Sequence, residues 1–238
     1  MTFTTLVYAF FGGLLPSFIW LYFLLKEDAR HPEPKKLIAL AFIVGMAVVP
    51  LALPLEQYAK TYFIGNQTIM TVSVLTAWAL IEEVLKYAVA AALILWRPAV
   101  DEAPDYVIYM MTVALGFASA ENMLFLLTPL MQGSVASSIF TSDVRFLGST
   151  LLHVVASAAI GFALAFSDMS RPIKRVAAGA LGLILAVVLH TAFNAIIISE
   201  GASATFFAFS FVWVVAVVFF AAFEALKYFQ YRTISNNT

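Results

Sequence analysis

Along the 238 residues, apolar stretches long enough to cross a bilayer recur with short polar breaks between them. About 20 consecutive apolar residues in helical form cover the hydrocarbon core. The pattern predicts seven membrane helices, over Phe3–Leu25, Leu37–Leu55, Ile69–Trp96, Tyr106–Leu127, Gly148–Phe166, Val176–Ile198 and Ser203–Leu226. Each run is continuously apolar. A barrel strand would alternate over about ten residues, so helices are expected and not a barrel. The breaks leave no room for a soluble domain, and 1–238 is expected to form one all-α, polytopic membrane domain. Small residues cluster in Ala114–Ala120 and Ala177–Gly182, where close helix packing is expected.

Composition agrees and narrows the class. The chain is 63% hydrophobic and 11% charged, with a mean hydropathy of +0.95. A soluble domain carries roughly 45–50% apolar and about 25% charged residues. Thirteen basic against fourteen acidic residues give no basic surface for nucleic acid. The absence of cysteine excludes disulfides, thiolate metal sites and a cysteine nucleophile.

The basic residues orient the helices. No basic residue precedes the first span, whereas Lys26, Arg30, Lys35 and Lys36 follow it. These flanks are the reverse of a secretory signal's, so an uncleaved helix is expected. The connections 26–36, 97–105 and 168–175 and the C-terminal tail hold ten of the thirteen basic residues: Lys26, Arg30, Lys35, Lys36, Arg97, Arg171, Lys174, Arg175, Lys227 and Arg232. The opposite loops hold Lys60 and Arg145. The positive-inside rule then puts the N-terminus outside and the C-terminus in the cytoplasm.

Ionisable side chains inside a span are costly and usually functional. The third span carries Glu82, Glu83 and Lys86, the fourth Glu121 followed by Asn122, the fifth His153, and the sixth His190 and Asn194. At 1.5 Å per residue, Glu121, His153 and His190 lie roughly 8–12 Å from the outer ends of their helices, with Asn194 shallower and Glu82 and Glu83 about 16–20 Å deep. All fall between the midplane and the outer face, which implies one shared cavity open to the outside. Lys86 lies three and four residues beyond the two glutamates and can pair with either on one helix face. A structural ion pair alone leaves the second glutamate unexplained, since one lysine cannot neutralise two adjacent carboxylates. Asn122 points elsewhere around its helix and is expected to be a packing contact. Glu224 is expected to snorkel beside Lys227 and Tyr228.

Carboxylates, imidazoles and an amide suit the activation of water, and no Gly-x-Ser-x-Gly turn occurs. Two mechanisms fit. In one, Glu82 or Glu83 is the general base for water attacking a peptide carbonyl, His190 and Asn194 stabilise the oxyanion, and Glu121 and His153 hold the geometry. In the other, Glu121, His153 and His190 bind zinc, and one glutamate of the pair is the base. The sequence leaves open whether the cofactor is Zn2+ or there is none.

At these residues the chain resembles the PrsW family of intramembrane proteases, marked by Glu-Glu-x-x-Lys (Glu82-Glu83-Val84-Leu85-Lys86), Phe-x-x-x-Glu (Phe117 to Glu121) and later membrane histidines (His153 and His190). The loop His31-Pro32-Glu33-Pro34 is similar to an acidic, proline-rich loop common there, and the likeness runs from about residue 26 to 200. The family is distantly similar to the endopeptidases that trim prenylated CAAX proteins. In those a His replaces the second-motif glutamate and an Arg the first-motif lysine, so Glu121 and Lys86 favour the PrsW side. The resemblance implies a prokaryotic membrane peptidase that cleaves a membrane-tethered protein on the extracytoplasmic side, as in site-1 cleavage of an anti-sigma factor. The rival class is a proton-coupled transporter or channel built on the same buried Glu, His and Lys. Against it, the halves show no repeat and no paired Gly/Pro-broken helices. A retinal-type receptor would need a lysine in the middle of the last helix, and Lys227 lies at that helix's end.

Overall fold

The computed structural model describes residues 2–29, 31–64, 72–133, 148–167, 172–199 and 202–236. Among these are seven helices: α1 (Phe3–Glu27), α2 (Lys35–Ile64), α3 (Val72–Leu93), α4 (Ala103–Met131), α5 (Thr150–Ala165), α6 (Pro172–Ile198) and α7 (Ala202–Asn236). The protein is an all-helical, polytopic membrane bundle. Five of the helices are long and apolar enough to cross a membrane. The other two are α3, which carries Glu82, Glu83 and Lys86, and the shorter α5 of 16 residues.

Each predicted span has its helix, but several ends differ: the last helix, expected to stop at Leu226, runs on to Asn236, and α4 is longer than Tyr106–Leu127 at both ends. The helix expected to stop at Leu55 continues to Ile64 with Pro50 and Pro54 inside it. Proline is tolerated within membrane helices because neighbours re-satisfy the freed backbone groups. The helix expected to reach Trp96 ends at Leu93, and the chain turns over Ile94–Trp96. Its expected first residues, 69–71, lie outside the described residues, as do Arg30, Arg145 and Arg171 of the charge count and the side chain of Arg232.

The central helix is α4, packed against α1, α2 and α5. Every residue from Pro104 to Ser119 is buried except Met111, as expected for a helix that is apolar all round. Close approach sets the α2–α4 contact. A Cβ at Gly116 would lie 2.0 Å from the Phe42 carbonyl oxygen, and one at Gly45 would lie 2.1 Å from that of Val113. Only residues without a side chain let the two backbones meet so closely. Asn122 Nδ2 donates to Thr150 Oγ1 at 3.0 Å, joining α4 to α5.

The loop 31–34 is pinned to α4. Tyr109 donates its hydroxyl proton to Glu33 Oε2, and His31 Nδ1 lies 3.4 Å from Glu102 Oε1. At the same end Asp105 Oδ2 accepts the backbone N–H groups of Asp101 and Glu102. The Arg175 guanidinium stacks 4.3 Å over the Trp96 ring. Glu224 Oε1 meets Lys227 Nζ at 2.5 Å.

Candidate active site

The ionisable residues of α3, α4, α5 and α6 converge on one point inside the bundle. Glu82, Glu83, Lys86, His153 and His190 are all buried. Four of them, Glu82, Glu83, His153 and His190, each place one potential ligand atom within 4.8 Å of the others. The helical register of α3 makes this possible. Glu83 and Lys86 are three apart and Glu82 and Lys86 four apart, so the ammonium turns back toward both carboxylates. Lys86 Nζ is 2.5 Å from Glu83 Oε1 and 3.8 Å from Glu82 Oε2.

Glu83 is fully engaged. Its Oε1 accepts from Lys86 and from His190 Nδ1 at 2.9 Å, and its Oε2 accepts from Ser157 Oγ at 2.9 Å. These are charge-assisted bonds in a dry interior, where a buried carboxylate has to be fully satisfied. Glu82 differs. Its Oε2 is buried with no hydrogen-bond partner, 3.6 Å from His153 Nδ1 and 3.9 Å from His190 Nε2.

The bonding partners fix the imidazole tautomers. Lys86 Nζ can only donate, so His153 Nδ1, at 3.1 Å, accepts. The proton of that ring is then on Nε2, where it is donated to Glu121 Oε2 at 3.0 Å. His190 spends its Nδ1 proton on Glu83, which leaves the Nε2 lone pair toward Glu82. The two ring centroids are 5.1 Å apart in an edge-on arrangement. Phe117 lies beneath, 5.3 Å from the His153 ring and 4.5 Å from Lys86 Nζ. That contact gives the phenylalanine of Phe-x-x-x-Glu a role in walling the site and holding the ammonium by a cation–π interaction.

Of the sequence-derived residues, Glu82, Glu83, Lys86, Glu121, His153 and His190 are brought together. Glu121, assigned from sequence to a zinc triad with both histidines, lies outside the group of four converging ligands. It sits on the opposite nitrogen of His153. Asn194, half-buried one turn beyond His190, has no hydrogen bond to the cluster among the described residues.

Two members were not found from sequence. Ser157 lies one turn after His153 on α5, the register that puts both on one face; that spacing was the available signal. Glu56 on α2 is an electrostatic neighbour of Glu121, Glu82 and Lys86, and its backbone carbonyl accepts from Trp78 Nε1 at 2.9 Å. It lies one residue beyond the expected end of its span and so read as a loop residue.

The donor set fits a divalent metal of the zinc type. His190 Nε2, His153 Nδ1 (whose lone pair here accepts from Lys86) and an unbonded carboxylate oxygen of Glu82 face one another, the pairing of two histidines with one carboxylate found in water-activating zinc sites.

Comparison with known proteins agrees. The sequence profile of PrsW family intramembrane metalloproteases matches residues 33–223. A protein named Protease PrsW from Bacillus subtilis (strain 168) is 24% identical over 186 residues, covering 78% of this chain and 81% of its own length. Its namesake from Oceanobacillus iheyensis is 30% identical over 129 residues, covering 54% of this chain and 59% of its own. That from Geobacillus kaustophilus is 26% identical over 154 residues, covering 63% of each. No solved structure matches. All three relatives are named as proteases, which favours the peptidase reading of the buried groups over the transport one.

Proposed function

The chain belongs to the PrsW family of intramembrane metalloproteases, and from that membership we propose that this integral membrane peptidase hydrolyses a membrane-tethered protein near the extracytoplasmic face with Glu82 as general base. One observation carries the reading: Glu82 Oε2 is buried and unbonded between lone pairs of two histidines.

A water held at that point lies within reach of Glu82, His153 and His190. Glu82 takes its proton as the oxygen attacks the scissile carbonyl, then returns the proton to the leaving amide nitrogen, and the C–N bond breaks. The Lys86 ammonium, with its positive charge fixed beside the point, opposes the negative charge that develops on the carbonyl oxygen. Asn194, one turn past His190, is the amide donor on the substrate side. Glu83 and Ser157 hold Lys86 and His190 in place, and Glu121 keeps His153 in the tautomer whose Nδ1 faces the water. If Glu82 instead served with His153 and His190 as a zinc ligand, the ion itself would acidify the water and polarise the carbonyl, and Glu82 would not be the base.

The outward orientation rests on the ten-to-two division of basic residues and on the depth of the cluster in its helices. An anti-sigma factor is the substrate class that the family resemblance brings with it. The test is the purified chain in liposomes with a single-span reporter. Glu82→Gln and His190→Ala are expected to abolish cleavage, while both variants keep the melting curve of a folded bundle. Undiminished cleavage by either would overturn the site assignment. Metal content by mass spectrometry, with loss of cleavage in chelator and rescue by zinc, tests the metal. Full activity in chelator with no metal bound would leave the base mechanism without it.

A further inference from the structure

A cavity lies on the other side of α5 from the carboxylate–imidazole cluster. Helices α1 and α7 meet where the Trp20 and Trp213 rings stand 5.9 Å apart and where Lys227 Nζ donates to the Glu27 carbonyl at 3.1 Å. A slot of about 370 Å³ opens between them, backed by Met111 and Leu115 of α4 and Val154 and Ala158 of α5. Val217 and Phe220 on its α7 rim are more than half exposed, so the slot opens sideways to the bilayer. On α5 it runs from Leu151 to Phe162, roughly 16 Å at the helical rise. That is the depth of one leaflet's acyl chains, half of the roughly 30 Å core.

The polar end of the slot is charged in a particular way. Glu27 lines it, and Lys227 Nζ lies 3.5 Å from Glu27 Oε2 and 2.5 Å from Glu224 Oε1. The lysine side chain is 11% exposed, whereas Glu27 and Glu224 are 44% and 46% exposed. One buried ammonium between two accessible carboxylates leaves a net charge of -1, and the buried Asp28 adds to it as a further neighbour of Lys227. Such a rim repels an anionic headgroup and attracts one bearing an ammonium. Only an ammonium with N–H groups can also donate hydrogen bonds to the two carboxylates.

We propose that the slot binds one acyl chain of a phosphatidylethanolamine, with the headgroup ammonium on Glu27 and Glu224. Phosphatidylcholine has the positive charge without N–H donors, and phosphatidylglycerol has hydroxyl donors but only a negative charge. A lipid in this position props α5 from behind and so supports the helix that carries His153 and Ser157.

The experiment is photo-crosslinking of the full chain in vesicles holding equal amounts of the three lipids, each in turn carrying a diazirine on one acyl chain. Labelling by phosphatidylethanolamine is expected to exceed that by either other lipid by about tenfold, with adducts at Met111, Val154 or Phe220. Ala216→Phe, which fills the slot, is expected to remove those adducts. Val217→Trp does the same from the exposed rim and keeps the test open if the first variant fails to fold. Glu27→Gln combined with Glu224→Gln is expected to erase the preference while leaving the labelling. Equal labelling by all three lipids, adducts confined to other surfaces, or adducts undiminished in folded slot-filled variants would overturn the proposal. Displacement of the label by a single-span substrate, with excess phosphatidylethanolamine having no effect, would overturn it in favour of a substrate groove.

Discussion

Glu83 Oε1 and His190 Nδ1 are 2.9 Å apart although 107 positions separate the two residues. The same oxygen is 2.5 Å from the Lys86 ammonium, and the second oxygen holds Ser157. Its neighbour Glu82 keeps Oε2 unbonded at the centre of the cluster. Two adjacent glutamates of one helix therefore have different environments, one saturated and one open. Glu83 assembles α3, α5 and α6 around Lys86, and Glu82 Oε2 stays without a hydrogen-bond partner beside them.

The two glutamine variants are expected to separate these roles. Glu82→Gln removes the proton acceptor and is expected to lower cleavage of a single-span reporter by roughly 10²–10⁴-fold with little change in thermal unfolding. Glu83→Gln removes the nearer carboxylate of a fully buried ammonium, leaving Glu82 Oε2 at 3.8 Å, and breaking a buried pair costs up to about 3–5 kcal/mol. It is expected to lower both the melting temperature and the activity. Equal melting temperatures for the two variants would contradict the division.

Ser157, not singled out from sequence, is testable by the same logic. Ser157→Ala removes one hydrogen bond to a charged group, worth about 1.5–3 kcal/mol, and frees one oxygen of Glu83. Ser157→Thr keeps the donor and is expected to recover most of the loss. The measurement is reporter cleavage across pH for both variants. Equal loss in Ala and Thr would point to crowding and not to the hydrogen bond.

The sequence showed the members of the cluster that break an apolar run, because Glu82, Glu83, Lys86, Glu121, His153 and His190 have no other reason to be in a span. It did not show how they pair. Pairing depends on how α3, α5 and α6 rotate against one another, and no single helix encodes that. Serine is common in membrane helices, so the spacing of Ser157 from His153 did not by itself set it apart. Glu56 lies one residue past Leu55, where the apolar run gives way to Glu56, Gln57 and Lys60, and so fell outside the span.

The Gly116–Phe42 approach predicts a steric effect with no electrostatics in it. A Cβ at Gly116 would meet backbone 2.0 Å away, and backbone cannot swing aside as a side chain can. Gly116→Leu is expected to separate α2 from α4, reduce the yield of folded protein and lower its melting temperature. Phe117, the next residue, contacts His153 and Lys86, so any folded fraction is expected to cleave poorly. Normal yield and melting would show that the helices can part without loss.

Metal retention tests the tautomer argument. Glu121 holds the His153 Nε2 proton, which turns the Nδ1 lone pair toward Glu82. Partners of this kind typically change metal affinity by about 10–100-fold. Glu121→Leu is expected to lower zinc affinity in a competition titration by that order, and Glu121→Gln, which can still accept the proton, by less. Identical affinities for wild type and Glu121→Leu would sever Glu121 from the metal.

The end of the bundle opposite the site has its own pH dependence. Asp28 is buried, and its Oδ2 has no hydrogen-bond partner. Burial, helped by the nearby Asp105 and Glu102 carboxylates, pushes its carboxyl up to about 6 from 3.8, against the Glu33 backbone N–H and Lys227, which pull it down. Glu33 is raised as well, chiefly by burial. A group whose folded-state value is raised stabilises the fold in its protonated form. Its contribution is complete below about 3.8 and is lost as the pH climbs through about 6. Asp28→Asn keeps the shape and never acquires the charge. The variant is therefore expected to melt about 2–4 °C above wild type at pH 7–8, with the gap closing as the pH falls toward 4. Unfolding of both proteins in the same detergent across that range is the measurement. A variant less stable than wild type at pH 8 would mean that the ionised Asp28 is held by a partner and not merely buried.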